Sequence, residues 1–400
     1  MKRLAILGST GSIGRQCLAV VDWLPEKLSV VALAAGERVA LLAEQVARHR
    51  PKLVSVATRE RAEELTGRLR RLRVTPLPEI AWAREGLERT ATHPQADVVV
   101  SATVGVVGLP ATYAAIRQGK QVALANKEVL VAAGELVVAA ARATGAEILP
   151  VDSEHSAIHQ CLRAGCRTEI RRLVLTASGG PFRKHAASRL HGVTPRQALA
   201  HPRWRMGRRI TVDSATLMNK GFEVIEAHWL FGVPEERIEV VIHPQSTVHS
   251  MVEFADGSML AQLGPTDMRL PIQYALTYPE RLASNGCPLD WAVLRRLDFE
   301  KVPPGKFPCL AHARGALRAG GAWPCALNAA DEVAVEAFLE RRLPFTGIAR
   351  VVEAVLQRTP RVSLGSLEDV LAADREARRL AHEVVKRVAH RSAGARAGNF

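Results

Sequence analysis

The first fourteen residues constrain the fold more than any other stretch. Leu4-Ala5-Ile6-Leu7 is apolar and strand-like, Gly8-Ser9-Thr10-Gly11-Ser12-Ile13-Gly14 follows at once, and an amphipathic run through Leu18, Val21 and Leu24 comes next. Strand, glycine-rich turn and helix form the context that a dinucleotide-binding turn requires. Glycines let the backbone approach a pyrophosphate, and the helix N-terminus favours its charge. The spacing is G-x-x-G-x-x-G, one residue off the common G-x-G-x-x-G, and a tight structural turn would use the same residues. Placement favours the ligand-binding reading, because the alternation continues. Apolar runs at 30–33, 53–56, 98–101, 122–125 and 147–149 are separated by helical stretches up to about residue 150. That pattern predicts an α/β, Rossmann-like domain over 1–150, with a doubly wound parallel sheet.

Two further positions in this domain bear on a cofactor. The second strand ends at Ala35-Gly36-Glu37-Arg38. An acid there would hold the ribose diol of NAD, and an arginine would receive the 2′-phosphate of NADP. Glu37 and Arg38 offer both, so the residues alone leave the choice open. The strand at 122–125 runs into Ala125-Asn126-Lys127-Glu128, a polar insertion at a strand's carboxyl end. Lys127 is a candidate for the crevice there, although a lysine that opens a helix is also an ordinary solvated residue.

Polar residues become dense at Pro150-Val151-Asp152-Ser153-Glu154-His155. Asp152 and Glu154 follow an apolar run, and a strand end turning outward would carry both beyond the sheet, where α/β proteins bind ligands. Two crowded carboxylates repel unless a proton or cation lies between them, and the matching cation is hard, Mg²⁺ or Mn²⁺. A plain N-cap of the following helix uses the same residues. His155 and His159 form an i,i+4 pair that suits zinc on paper, but the neighbouring carboxylates favour a harder ion. Farther on, Ser178 beside Gly179-Gly180 can present a hydroxyl and backbone N–H groups to a phosphate. His201-Pro202-Arg203-Trp204-Arg205-Met206-Gly207-Arg208, with a tryptophan and a methionine among arginines, suits a cover over an anionic ligand across about 198–209. Asp213-Ser214-Ala215-Thr216-Leu217-Met218-Asn219-Lys220-Gly221-Phe222-Glu223 reads as an N-cap and a helix, with Asn219, Lys220 and Glu223 on one face. That face suits a phosphate beside a metal, and equally a salt bridge on a surface helix.

Four hundred residues imply two or three domains. Runs at 172–176, 240–243, 246–254 and 258–263 predict a second, mixed sheet, giving a central α+β catalytic domain over 151–285. A proline-rich linker spans 286–308, and helical periods at 310–318, 326–340, 348–356 and 367–388 predict a C-terminal α-helical domain over 309–400, disordered from Arg391. The net charge of +14 raises the question of nucleic acid. Arginines alternate with glutamates along helices such as 59–64, and aromatics make up only 4% of residues, which leaves no stacking platform for single strands. No nucleic-acid partner is expected. No apolar run reaches the length of a membrane span, so no membrane partner is expected either. Six scattered cysteines without a C-x-x-C pair read as reduced thiols, and the N-terminus enters a strand at once, so a cytoplasmic location is expected.

Taken together, G-S-T-G-S-I-G at 8–14, A-N-K-E at 125–128, P-V-D-S-E-H at 150–155 and S-G-G-P-F at 178–182 form a recognisable series. With H-P-x-W-x-M-G-R at 201–208, D-S-A-T-x-M-N-K-G at 213–221 and H-P-Q-S at 243–246, the chain resembles the 1-deoxy-D-xylulose 5-phosphate reductoisomerase family over nearly its whole length. The resemblance implies one divalent cation, Mg²⁺ or Mn²⁺, on Asp152, Glu154 and Glu223. It implies a sugar-phosphate substrate held by Ser178, Ser214, Asn219 and Lys220, with Lys127 and Ser153 near its carbonyl and hydroxyls. His201 and Trp204 would cover it, and Lys127, Ser153, Glu154, His201 and Trp204 would be the catalytic set. NADPH would lie on Thr10, Gly11, Ser12, Ile13, Gly36, Arg38, Asn126, Glu128 and Gly207. A homodimer is implied as well. A rival reading is another NADP-dependent dehydrogenase of similar build, of the semialdehyde or homoserine type, which has no need of three metal carboxylates with a phosphate set.

Overall fold

The computed structural model describes residues 1–204, 206–286 and 288–397, the side chains of 389–397 excepted. Along the first part of the chain run β1 (Lys2–Leu7), α1 (Ser12–Trp23), β2 (Leu28–Ala34), α2 (Val39–His49), β3 (Leu53–Val56) and α3 (Arg59–Arg71). They are followed by β4 (Glu79–Trp82), α4 (Ala83–Ala91), β5 (Val98–Ser101), α5 (Leu109–Arg117), β6 (Gln121–Leu124), α6 (Glu128–Thr144), β7 (Ile148–Pro150) and α7 (Ser153–Cys161). The remainder contains β8 (Ile170–Ala177), α8 (Pro195–Ala198), α9 (Arg208–Thr216), α10 (Met218–Phe231), β9 (Ile238–Ile242), β10 (Val248–Phe254) and β11 (Met259–Leu263). Then come α11 (Arg269–Thr277), α12 (Trp291–Leu294), β12 (Glu300–Lys301), α13 (Pro308–Ala319), α14 (Trp323–Leu339), α15 (Gly347–Leu356) and α16 (Leu367–Ala397).

The first sheet has seven strands in the order β4-β3-β2-β1-β5-β6-β7, and every pairing in it is parallel. Its central strands are buried on both faces, which is why Leu4–Leu7 and Val98–Val100 read as unbroken apolar runs rather than alternating ones. β4 was not legible in the sequence: it is a short edge strand whose Glu79 and Trp82 face outward, so it lacks the apolar signature. The strand order reverses at β1 and β5, which sets the ligand crevice at their carboxyl ends.

By density of contacts the chain divides into two units. The first comprises 1–129, 137–159 and 267–288, and the second comprises 130–136, 160–266 and 289–400. The first unit therefore extends beyond residue 150 and takes back a later segment. Ile272, Ala275 and Leu276 of α11 join the core formed by Leu4, Ile6, Cys17, Leu18 and Val21. An amphipathic helix follows whichever partner hides its apolar stripe, and sequence order does not reveal that partner.

The second unit contains a five-stranded mixed sheet, β11-β10-β8-β9-β12, in which only β8 and β9 run parallel. β12 lies inside the stretch expected to be linker, paired with β9 through Glu300 and Ile242. The four C-terminal helices fall where their apolar periods place them. α16, however, continues to Ala397, past the point where disorder was expected, and residues 398–400 lie outside the described residues. Alanine and arginine are strong helix formers, and they prolong the last helix across Gly394. Asp213 is not an N-cap: it lies within α9, and the break falls at Leu217, whose φ of 58° separates α9 from α10. The helix starts at Arg208, five residues before Asp213, with Gly207 in the N-cap position. Among the described residues no helix is long and apolar enough to cross a membrane.

Candidate active site

The glycine-rich turn is shaped by contacts that admit no side chain. Gly8 has φ 85°, and a Cβ there would lie 2.4 Å from the Ala102 carbonyl oxygen. On Gly14 it would meet the Gly8 carbonyl at 2.4 Å, which lets α1 press against the turn. α1 starts after Gly11 without a side-chain cap, so Ser12 and Ile13 open a helix whose first N–H groups are available to an anion. One partner of the turn was missed in the sequence. Ser9 Oγ donates to Gln45 Oε1 at 2.8 Å, and Gln45 Nε2 returns a bond to the Ser9 carbonyl at 3.0 Å, pinning the turn to α2. No local signal could have paired residues 36 apart.

At the end of β2 the open choice acquires a direction. Glu37 Oε2 accepts from Arg61 Nε of α3 at 2.8 Å, while Arg38 Nη1 reaches back to the Thr10 carbonyl at 3.3 Å. Arg38 thus lies against the glycine-rich turn, and Glu37 is engaged by another arginine. Gly36 beside them has open space where a Cβ would be.

At the other side of the sheet, β6 leads to Asn126, Lys127 and Glu128, all of them buried, and β7 leads to Asp152. The Lys127 ammonium lies 3.1 Å from Asp152 Oδ2, with 9% and 14% of the two side chains exposed. The other carboxylate oxygen of Asp152 accepts from the Glu154 N–H at 3.1 Å, and the Asp152 carbonyl accepts from Ser156 N–H at 2.8 Å. Capping and site formation are therefore not alternatives. Asp152 caps α7 with one oxygen and turns the other to a buried ammonium. Ser153 Oγ donates to Glu154 Oε2 at 2.7 Å, and His155, fully buried, places Nδ1 3.3 Å from Asp152 Oδ1. His159 turns elsewhere, with Nδ1 2.8 Å from the Tyr274 hydroxyl.

In the second unit, β8 ends just before Ser178. Gly180, at φ 63°, leaves no room for a Cβ, which would lie 2.7 Å from the Ser214 carbonyl, so the Ser178 turn packs on α9. His201 Nδ1 accepts the backbone N–H groups of Trp204 at 2.8 Å and Arg203 at 3.2 Å. The neutral ring then carries its proton on Nε2 and donates to Ser178 Oγ at 2.9 Å. Burial pushes the His201 pKa down to about 4, which keeps the ring neutral near pH 7. Ser178 Oγ also accepts from Gly180 N–H at 3.2 Å, so its own hydrogen is left to donate outward. Trp204 packs near His249 at 6.3 Å between ring centroids, and Gly207 forms the start of α9.

Asn219, Lys220 and Glu223 come together on the first turns of α10. Asn219 Nδ2 donates to Glu223 Oε1 at 2.6 Å and the Lys220 ammonium to Glu223 Oε2. Only 4% of Lys220 and 1% of Glu223 is exposed, which excludes the surface salt bridge. Burying an ion costs several kcal/mol unless it is paired, so an amide and an ammonium on one carboxylate form a specific arrangement.

α9 is tied to α14 through Arg209. Its guanidinium donates to Glu332 at 2.6 Å and Asn328 at 2.8 Å, and lies 3.6 Å from carboxylate oxygens of both Asp213 and Asp331. Burial raises the Asp331 carboxyl from its ordinary 3.8 to about 6, against the pull of Arg209. A carboxyl raised in this way holds its proton longer in the folded state, so its contribution to stability falls as pH rises from 3.8 to about 6. Asp331→Asn is accordingly expected to raise the melting temperature at neutral pH and to flatten its dependence across that window. A variant that melts lower than the parent at neutral pH would show that the charged carboxylate stabilises through Arg209.

A parallel doubly wound sheet opening on such a turn is the architecture of a dinucleotide-binding domain. Three family models match the chain. The model of 1-deoxy-D-xylulose 5-phosphate reductoisomerase matches residues 4–134, that of its C-terminal domain 148–231, and that of the DXP reductoisomerase C-terminal domain 263–380. The chain belongs to the 1-deoxy-D-xylulose 5-phosphate reductoisomerase family. It is 56% identical to the reductoisomerase of Symbiobacterium thermophilum, over 96% of this chain and 98% of that one. The Bordetella petrii enzyme is also 56% identical, over 93% and 96%. Among solved structures, the Zymomonas mobilis reductoisomerase in complex with NADPH is 43% identical, with TM-score 0.90 over 96% of this chain and 99% of that one. A DOX-P reductoisomerase in complex with NADPH, fosmidomycin and magnesium is 41% identical, with TM-score 0.92 over 96% and 98%.

Proposed function

We propose that the chain converts 1-deoxy-D-xylulose 5-phosphate to 2-C-methyl-D-erythritol 4-phosphate with NADPH and one divalent cation, Mg²⁺ or Mn²⁺. The observation that carries this most is the buried Asn219–Lys220–Glu223 triad, which holds cation- and anion-binding groups on one helical turn. Family membership and the solved relatives that hold NADPH and magnesium support the same reading.

Asp152, Glu154 and Glu223 are the proposed metal ligands. The donor set is oxygen throughout, with no sulfur, and so fits a hard cation. Bound, the cation would supply Lewis acidity, and the reduced dinucleotide would supply the hydride. The chain's own residues bind and orient. Ser178, Ser214, Asn219 and Lys220 clamp the phosphate, which fixes the sugar for the breaking and remaking of one carbon–carbon bond and for reduction of the branched aldehyde. Lys127 presents its ammonium, and Ser153 its hydroxyl, toward the reacting carbonyl and hydroxyls. A neutral His201, with Trp204, covers the bound sugar and keeps water from the intermediates. Thr10 to Ile13, Gly36, Arg38, Asn126, Glu128 and Gly207 form the cofactor's surroundings. A homodimer and a cytoplasmic location belong to the same reading, and sedimentation at micromolar concentration tests the first.

Incubation with 1-deoxy-D-xylulose 5-phosphate, NADPH and Mg²⁺ or Mn²⁺ tests the activity. Loss of reduced cofactor that requires metal and the substrate's phosphate is expected. Turnover that ignores a chelator, or that serves a metal-free and phosphate-free substrate as well, would favour the dehydrogenase alternative.

Arg38 sets the cofactor preference in this reading. Its fork of N–H donors matches a 2′-phosphate, which NADH lacks. Arg38→Ala removes a charge-assisted pair, so KM for NADPH is expected to rise about tenfold or more. Use of NADH is expected to stay nearly unchanged. Equal penalties on both cofactors, or a parent that prefers NADH, would put Glu37 inward instead.

A further inference from the structure

The strand order sets three loops side by side at the carboxyl edge of the first sheet: the one after β2 with Arg38, the glycine-rich turn after β1, and residues 102–108 after β5. Neighbouring strands are about 4.8 Å apart, so a dinucleotide with its 2′-phosphate at Arg38 and its pyrophosphate on the turn continues over β5. The third loop is built unusually for a solvated connection. Val104 and Val107 leave 73% and 72% of their surfaces exposed. Val104 is the residue that enters the 3₁₀ turn Gly105–Gly108, in extended conformation, and Val107 lies within that turn three residues on.

A buried amide holds this loop. Asn126, 2% exposed, donates from Nδ2 to Thr103 Oγ1 and to the Gly105 carbonyl, each at 2.9 Å. The two ends of the loop pack on each other, since a Cβ on Gly108 would lie 1.8 Å from Thr103 Oγ1. Its first residue, Ala102, is the one whose carbonyl meets Gly8. Loop and glycine-rich turn are thus fixed together backbone to backbone. Both hydrogens of the Asn126 amide are engaged by the loop, so its side chain has no donor left for a cofactor.

We propose that Val104 and Val107 form the apolar shelf under the nicotinamide ring, with Asn126 a positioning residue that holds the shelf in place. This rests on the cofactor reading above. The shelf covers one face of the ring, leaving the other face to transfer hydride to the sugar. Exposed valines tolerate replacement without loss of the fold, which makes the idea testable.

Calorimetric titration of NADPH and of 2′-phospho-ADP-ribose, the same molecule without nicotinamide, separates the two halves of the cofactor. The Val104→Ser/Val107→Ser double variant is expected to bind 2′-phospho-ADP-ribose like the parent and NADPH on the order of tenfold more weakly, as for about 50 Å² less apolar surface buried. KM for NADPH rises in step, and KM for the sugar phosphate does not. Asn126→Asp, which keeps the shape and removes the donors, shows the same selective loss. Unchanged NADPH binding in the double variant, or equal weakening of both ligands, overturns the shelf. A parent that binds neither ligand overturns the cofactor reading and this inference with it.

Discussion

Glu223→Gln is expected to abolish metal-dependent turnover while leaving the fold intact. The substitution keeps the volume of a side chain that is 1% exposed, and keeps an oxygen for the Asn219 amide. What it removes is the charge, and with it one of the three proposed anionic ligands. A loss of about a thousandfold or more in kcat, roughly 4 kcal/mol of transition-state stabilisation, follows if the cation does the chemistry assigned to it. Asp152→Ala should cost activity similarly. It should also lower the melting temperature, since Asp152 Oδ1 accepts from the Glu154 N–H at the start of α7, and such caps are worth about 1 kcal/mol. The pair of variants separates ligation from capping. A Glu223→Gln protein with near-normal turnover at low metal would remove Glu223 from the site.

Lys220→Ala is expected to weaken use of the phosphorylated sugar markedly. Charge-assisted hydrogen bonds are each worth about 1.5–3 kcal/mol, so kcat/KM should fall about tenfold to a hundredfold. The side chain also neutralises buried Glu223, and part of the loss will reach metal affinity. The two contributions part when the dephosphorylated sugar is tried. A lysine that binds phosphate makes that sugar a poor substrate for the parent and leaves it little poorer for the variant. A parent that used both sugars equally well would place the phosphate elsewhere.

Much of this was legible in the chain because it is local. The turn at 8–14, the strand ends at Lys127 and Asp152, and the i,i+3 and i,i+4 spacing of Asn219, Lys220 and Glu223 all put chemistry within a few residues of a recognisable element. What sequence could not supply was long-range. Gln45 locks Ser9 from another helix, α11 returns to the first core, and Arg209 is held by α14. The Glu37–Arg38 choice acquires a direction only through Arg61 of α3, which engages Glu37. At Asp213 the difference has another cause. Asp-Ser-Ala-Thr resembles a cap at any position, and only the left-handed Leu217 marks where one helix ends and the next begins.

The central claim is that one site both rearranges the carbon skeleton and reduces it. Reduced NADP carrying deuterium at the transferable position, incubated with 1-deoxy-D-xylulose 5-phosphate and Mg²⁺, tests that claim in one product analysis. The account predicts a branched 2-C-methyl-D-erythritol 4-phosphate with one deuterium on the carbon that was the aldehyde, formed in step with oxidised cofactor. An unbranched pentitol phosphate labelled at the former ketone carbon would contradict it, and would make the protein a simple dehydrogenase.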